Sequence, residues 1–153
     1  MTCCQTQALE ILLYVRKLHE RVLDRYEELI DETLSPRSQF LTDYLCRQEK
    51  TLLQTIGQSL RNEGEGILKA FVDTRLDLDA QKILSDADLP KVPSTDDLSH
   101  FAFLTRDAII HALKESARSA SDRKVKELFL SLWRMEEGER KHLAMTVMQL
   151  HDL

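Results

Sequence analysis

The amino-acid sequence predicts a single all-α domain over residues 1–153, built from four long helices. Apolar residues recur every three to four positions in four stretches, about 6–33, 37–62, 96–120 and 124–151, which is the spacing of one face of an α-helix. Only 4 residues are Gly and 3 are Pro, so few positions interrupt helical hydrogen bonding. A chain of 153 residues also buries a core without disulfides or a second domain.

The first two predicted helices form an antiparallel pair. Ser35-Pro36 marks the start of the second helix, since Ser is a good N-cap and Pro suits the first helical position. The turn is so short that the second helix must run back along the first. Glu49 interrupts the apolar stripe of the second helix, which otherwise consists of Leu41, Leu45, Leu52, Ile56 and Leu60.

The other two helices form a second pair after a long connection. Gly64 and Gly66 break the second helix, and residues 63–95 contain only short amphipathic pieces. Ser94 and Ser121-Asp122 then provide caps for the third and fourth helices. Two antiparallel pairs joined by one long crossover form the ferritin-like type of four-helix bundle, whereas simple up-and-down bundles have only short loops.

The fourth helix carries the most informative motif, Glu139 with His142. At a spacing of three residues the two side chains project from one face about one turn apart, where a carboxylate and an imidazole can hold one metal ion. The surrounding run from Val125 to Leu143 resembles the closing helix of rubrerythrin-type members of the ferritin-like superfamily, which ends in Glu-x-x-His. The resemblance implies an iron or manganese site completed by the other three helices.

The other ligands that the resemblance implies are only partly present. Glu49 is the candidate on the second helix, but Leu52 stands three residues later, where the family has His. On the third helix the family's Glu falls on Arg106, with Asp107 beside it. The candidate metal ligands are therefore Glu49, Asp107, Glu139 and His142, with His19 and Glu20 of the first helix as further candidates.

Arg106 argues against a complete metal site. A cation in a ligand position repels a bound dication strongly where the dielectric is low. We therefore expect no cofactor and a degenerate site, in which Arg106 forms a buried or half-buried ion pair with Glu139. A complete di-metal site, and a single ion held by Glu139 and His142, remain as alternatives.

Composition narrows the choice of partners. The net charge of -5 and pI near 5.5 argue against nucleic acid, which requires a basic surface. No apolar run approaches the roughly 20 residues of a membrane span, and Met1–Gln5 lacks the basic start of a signal peptide, so we expect a cytoplasmic protein without membrane contact. Three cysteines, Cys3, Cys4 and Cys46, do not make a disulfide framework and fit a reducing compartment.

Three functional hypotheses are compatible with the sequence. The leading interpretation is a non-catalytic helical bundle that acts through its surfaces as an interaction or structural module. The alternative is a metal-dependent oxidoreductase or iron-handling protein of rubrerythrin type, with iron or manganese on Glu49, Asp107, Glu139 and His142. The third is a thiol-based redox sensor that uses Cys3 and Cys4.

Assembly also has two interpretations. Phe129 and Trp133 point away from the stripe of the fourth helix, and large exposed apolar patches are uncommon on monomers. Either the crossover covers them, through Phe71, Val72 and Leu76, or a second subunit does so in a homodimer.

Overall fold

The computed structural model describes residues 5–29, 34–74, 82, 84, 85, 87 and 89–152. Within these ranges the fold is all-α, as predicted, apart from one pair of very short strands. No helix there is long and apolar enough to cross a membrane. The described elements are β1 (Thr6–Gln7), α1 (Ala8–Glu27), α2 (Pro36–Asn62), α3 (Glu65–Leu68), β2 (Phe71–Val72), α4 (Thr95–Ser119) and α5 (Arg123–His151).

Three of the long helices begin at the predicted caps. The Ser35 hydroxyl accepts a hydrogen bond from the Ser38 backbone N–H at 3.2 Å, with Pro36 as the first helical residue. Ser94 and Asp97 form a reciprocal capping box at the start of α4. Asp122 accepts from two backbone N–H groups at the start of α5. The observed bounds of α2, α4 and α5 therefore agree with prediction to within one residue.

The first helix is shorter than the predicted span 6–33. Thr6 and Gln7 form β1 instead, because their backbone pairs with Val72 and Phe71 of β2. The N–H of Ala8 also donates to the Ala70 carbonyl at 2.9 Å, so the chain before α1 is held by the crossover. At the other end α1 stops at Glu27, and residues 30–33 lie outside the described part of the chain.

The helices α4 and α5 run antiparallel. Asp107 on α4 pairs with Arg140 on α5. About two turns further along α4, the Lys114 ammonium lies 5.6 Å from the ring of Trp133, which precedes Arg140 on α5. The second contact lies closer to the end of α4 and closer to the start of α5, so the two helices run in opposite directions.

The helices α1 and α2 are antiparallel as well, because β1 directly before α1 pairs with β2 shortly after α2, with Thr6 opposite Val72. The Ser38 hydroxyl donates to the Pro93 carbonyl at 3.0 Å, so the start of α2 lies beside the start of α4. The crossover therefore leads from the end of α2 back to the level of its start, and α2 and α4 run parallel.

One hydrophobic core joins all four long helices and part of the crossover. Phe129 is fully buried within a single chain, and α3 packs against α5. Val72 is also buried, whereas Phe71, which we expected to help cover Phe129, is 58% exposed. Leu76 lies outside the described residues. Burial of Phe129 therefore needs no second subunit.

Candidate functional site

Each of the four long helices places one ionisable side chain in the same buried space. These are His19 on α1, Glu49 on α2, Arg106 on α4 and Glu136 on α5, and each is at most 2% exposed. Ionisable side chains are almost never buried this completely unless they are paired. The four residues are called the charge cluster below.

The charge cluster is a closed ring of ion pairs. His19 Nδ1 lies 2.5 Å from one oxygen of Glu49, and His19 Nε2 lies 2.6 Å from one oxygen of Glu136. Arg106 completes the ring, since Nη1 donates to the other Glu136 oxygen at 2.8 Å and Nη2 donates to the other Glu49 oxygen at 3.0 Å. Each carboxylate thus bridges both cations, and each cation bridges both carboxylates.

The protonation states follow from this geometry. Burial by itself would lower the pKa of His19, but the carboxylates of Glu136 and Glu49 outweigh it and raise that pKa to about 9. Burial would likewise raise the pKa of Glu136, yet His19 and Arg106 hold it below its usual value. At neutral pH, two cations therefore face two carboxylates, and the cluster carries no net charge.

Tyr26 borders the charge cluster from α1. Its ring packs edge-on against Phe101 at a centroid distance of 5.7 Å. Burial raises the pKa of the Tyr26 hydroxyl, and the Glu49 carboxylate raises it further. The phenol therefore stays neutral and adds no charge to the cluster.

Gln48 connects the charge cluster to the surface. Its carbonyl oxygen accepts from Arg106 Nη2 at 2.8 Å. Its amide nitrogen donates to the Glu139 carboxylate at 3.1 Å, to the Glu139 backbone carbonyl at 2.8 Å and to the Tyr44 hydroxyl at 3.3 Å. Gln48 is 4% exposed, so this amide is a fixed link between Arg106 and Glu139.

Glu139 and His142 lie on the outer side of that link. Both line an open groove of about 470 Å³ between α2 and α5, together with Tyr44, Arg47 and Gln48. Glu139 is half-buried and His142 is exposed. The Glu-x-x-His motif therefore faces a surface groove and not the charge cluster.

The predicted ion pair between Arg106 and Glu139 is wrong, because Arg106 pairs with Glu49 and Glu136. Glu136 lies one turn before Glu139 on α5 and points into the core, where Glu139 does not. The structure also leaves Asp107 outside the cluster, since its half-exposed carboxylate accepts from Arg140 Nε at 2.6 Å. Glu20 likewise lies at the surface, 3.5 Å from Arg16.

Glu136 and Gln48 were missed in the sequence, and a signal for Glu136 was present. Glu136 follows Leu132 by four residues and precedes Leu143 by seven, so it occupies a position on an apolar stripe. Glu49 shows the same pattern between Leu45 and Leu52. A carboxylate in such a position on two helices predicts a buried partner cation. Gln48 carries no comparable sequence signal.

The donor set does not fit a bound metal ion. All four carboxylate oxygens of Glu49 and Glu136 already accept hydrogen bonds, two from His19 and two from Arg106. A protonated imidazole has no free lone pair for a metal, and the guanidinium adds a repelling charge. Leu52, at the position where rubrerythrin-type proteins have a ligand His, is buried and apolar. Within the described residues, no group of three His, Cys, Asp or Glu is arranged to hold a metal.

Cys46 has no feature of a reactive thiol. It is 6% exposed, and burial together with the Glu27 carboxylate raises its pKa to about 11. Cys3 and Cys4, the residues of the thiol-sensor hypothesis, lie outside the described part of the chain.

Comparison of the chain with protein-family models, with curated proteins and with solved structures found no match. Fold and site together define an all-α protein with a buried, electrically neutral charge cluster at the centre of its long helices.

Proposed function

We propose that this protein is a ferritin-like four-helix bundle whose metal site has become a charge cluster, and that it acts through its surfaces as a non-catalytic interaction or structural module. The observation that carries the proposal is the position of Arg106, whose guanidinium bridges Glu49 and Glu136. In di-metal bundles, carboxylates from different helices point inward and share metal ions between them. Here a protein cation stands between two such carboxylates.

The helix directions support the ferritin-like part of the proposal. A crossover that returns from the end of α2 to the level of its start, with α2 and α4 parallel, is expected of a bundle made of two antiparallel pairs and one long connection. Each long helix contributes one charged side chain to the charge cluster. The ligands of a di-metal site also come from all four helices, which supports derivation of the cluster from such a site.

The pairing of every charge within the charge cluster supports the non-catalytic part of the proposal. Every charged group of the cluster has two charged partners and almost no exposure, so none is available to a substrate. Among the described residues, the accessible features include the exposed apolar side chains of Phe40, Met145 and Met148. Exposed apolar side chains that form a contiguous patch are typical of surfaces that bind other molecules.

Metal analysis tests the proposal most directly. Protein purified without chelator is analysed for iron, manganese and zinc, and its thermal unfolding is followed with and without added Mn²⁺ or anaerobic Fe²⁺. We expect substoichiometric metal and an unchanged unfolding temperature, because an ion that binds the folded state must stabilise it. Stoichiometric iron or manganese, with consumption of oxygen or peroxide, would instead support the alternative of a rubrerythrin-type oxidoreductase.

A further inference from the structure

Exposed apolar side chains gather along one face formed by α2 and α5. Phe40 is 51% exposed and Met145 is 58% exposed, and each of them lines a hollow on this face. Phe40 lies near the start of α2, and Met145 lies in the last two turns of α5. Because α2 and α5 run antiparallel, these regions are neighbours.

Two adjoining hollows run along this face. The first is the groove of about 470 Å³ described above, and the second, of about 290 Å³, is lined by Pro36, Phe40 and Leu150. Thr146 and Gln149 line both hollows, so the two are continuous. On α2 the lining extends from residue 36 to residue 51, which at 1.5 Å per residue is about 22 Å.

The charge of this face differs from that of the whole chain. The chain carries a net charge of -5, but the described lining residues include Arg37 and Arg47 against a single carboxylate, Glu139. Glu139 already accepts a hydrogen bond from Gln48. Arg47 forms no ion pair with any residue that the structure describes. Arg37 lines the second hollow with Phe40, and Arg47 lines the first hollow with Glu139, so two arginines face one carboxylate along the face.

We infer that this face binds one amphipathic α-helix of a partner protein, about four turns long, with acidic residues on its flank. The inference rests on the proposed function, since it names the partner of a protein that acts through its surfaces. Apolar side chains of the partner lie over Phe40 and Met145, and a carboxylate of the partner pairs with Arg47. Recognition of a helix in a groove uses such anchors at i, i+3, i+4 and i+7.

Shape and composition favour a helix over a small ligand. A groove of about 22 Å exceeds the length of most metabolites and equals about 15 residues of helix. Its walls are two antiparallel helices, and the gap between two such helices is the surface against which a third helix packs in bundles. Methionine adapts its shape to different apolar partners, and Met145 lines the first hollow.

The probe is a displayed library of helix-forming peptides, about 15 residues long, in which both apolar and charged positions are randomised. Selection on the full chain is followed by anisotropy measurements with labelled synthetic copies of the enriched peptides. We expect enriched peptides with apolar residues at helical spacing and Asp or Glu on the flank. Phe40→Asp and Arg47→Glu should each weaken binding by about tenfold or more.

The matched control is Phe71→Asp, which introduces the same charge at an equally exposed Phe on the crossover and should leave binding unchanged. Circular dichroism of each variant checks that the fold is intact, and Met145→Lys provides a second change of an apolar side chain on this face. The inference is overturned if no peptide is enriched, if the enriched peptides are basic, or if Phe40→Asp and Arg47→Glu bind as wild type does.

A homodimer that Phe40→Asp converts to monomer would also overturn the inference, because the occupant would then be a second copy of this chain. Light scattering on the same samples detects this outcome. Failure of the proposed function has a different signature, namely stoichiometric metal in the same preparation. A high metal content is compatible with intact peptide binding, and a low metal content is compatible with loss of peptide binding. The two failures are therefore distinguishable.

Discussion

Arg106 Nη1 lies 2.8 Å from Glu136 Oε2, in an ion pair whose two side chains are no more than 2% exposed. Burial of this ion pair determines how its loss changes the stability of the fold. Desolvation of two charges cancels much of their attraction, so the pair by itself adds little stability, yet loss of one partner leaves an uncompensated charge in the core.

Arg106→Met should lower the free energy of unfolding by about 3–5 kcal/mol, because two buried carboxylates then face only His19. Arg106→Met with Glu136→Leu should cost less than the sum of the single changes, since His19 and Glu49 still balance each other. Denaturant unfolding of the four proteins measures this. Additive single changes would mean that the two side chains are not coupled.

The surface pair of the same two helices is the control for that measurement. Arg140 and Asp107 form an ion pair at 2.6 Å with side chains 38% and 52% exposed. Arg140→Gln should cost less than about 1 kcal/mol, because solvent screens an exposed pair and readily solvates the remaining carboxylate.

Glu136→Gln and Glu139→Gln should differ strongly, although they make the same chemical change one turn apart. Glu136→Gln removes a charge between two buried cations and should cost about 3–5 kcal/mol. Glu139 is half-buried and accepts from a neutral amide, so Glu139→Gln should cost less than about 1 kcal/mol. Thermal and denaturant unfolding compare the two, and equal losses would contradict the assignment of Glu136 to the cluster.

Stability should fall between about pH 6.5 and pH 9 because of His19. Its pKa is raised from 6.5 to about 9 in the folded protein, so its contribution is complete below pH 6.5 and is lost as the pH rises through 9. The shift corresponds to a loss of about 3 kcal/mol across that interval. In His19→Gln this slope should be absent. Parallel pH profiles of wild type and variant would rule out a charged His19.

Arg106→Glu should make folding depend on divalent metal. The change places a third carboxylate beside Glu49 and Glu136, so the metal-free variant should be much less stable than wild type. Mn²⁺ at about 100 times its Kd would restore about 2.7 kcal/mol, or roughly 5–10 °C in unfolding temperature.

Arg140→Glu, an equal change of charge at the surface, is the control and should show no response to metal. An equal response of both variants would indicate non-specific binding of Mn²⁺ and would remove support for a metal-derived cluster.

Cys46 should react with a thiol reagent only after unfolding. In a background of Cys3→Ser and Cys4→Ser, labelling by a disulfide reagent at pH 8 should follow the population of unfolded protein, because the Cys46 thiol is buried and its pKa is about 11. Rapid labelling of the native protein would show that Cys46 is accessible.

Local sequence was sufficient to predict three helix starts. Ser35, Ser94 and Asp122 act through bonds to residues two or three positions away, so the information for each cap lies in four consecutive residues. The pairing of Thr6 with Val72 was not predictable in this way, because the two residues are far apart in sequence and the strands are only two residues long.

The ion pair of Arg106 illustrates the same limit within a correctly predicted helix. The resemblance placed Arg106 opposite Glu139 of the Glu-x-x-His motif, and Glu139 lies three residues after the actual partner, Glu136. Three residues correspond to a rotation of about 60° around the helix axis. The apolar stripe identifies the buried face of a helix only to within about that angle. The stripe alone therefore did not distinguish Glu136 from Glu139 as the buried carboxylate.

The sequence by itself determined the all-α class, the caps and bounds of α2, α4 and α5, and the presence of charged residues on apolar stripes, because these depend on neighbours within one or two turns. Only the tertiary structure decided that His19, Glu49, Arg106 and Glu136 meet, that Glu139 and His142 face a groove, and that Asp107 lies at the surface. The physical reason is that helix rotation and register are fixed by packing of all four long helices at once, and a buried charge selects its partner only after that packing is set.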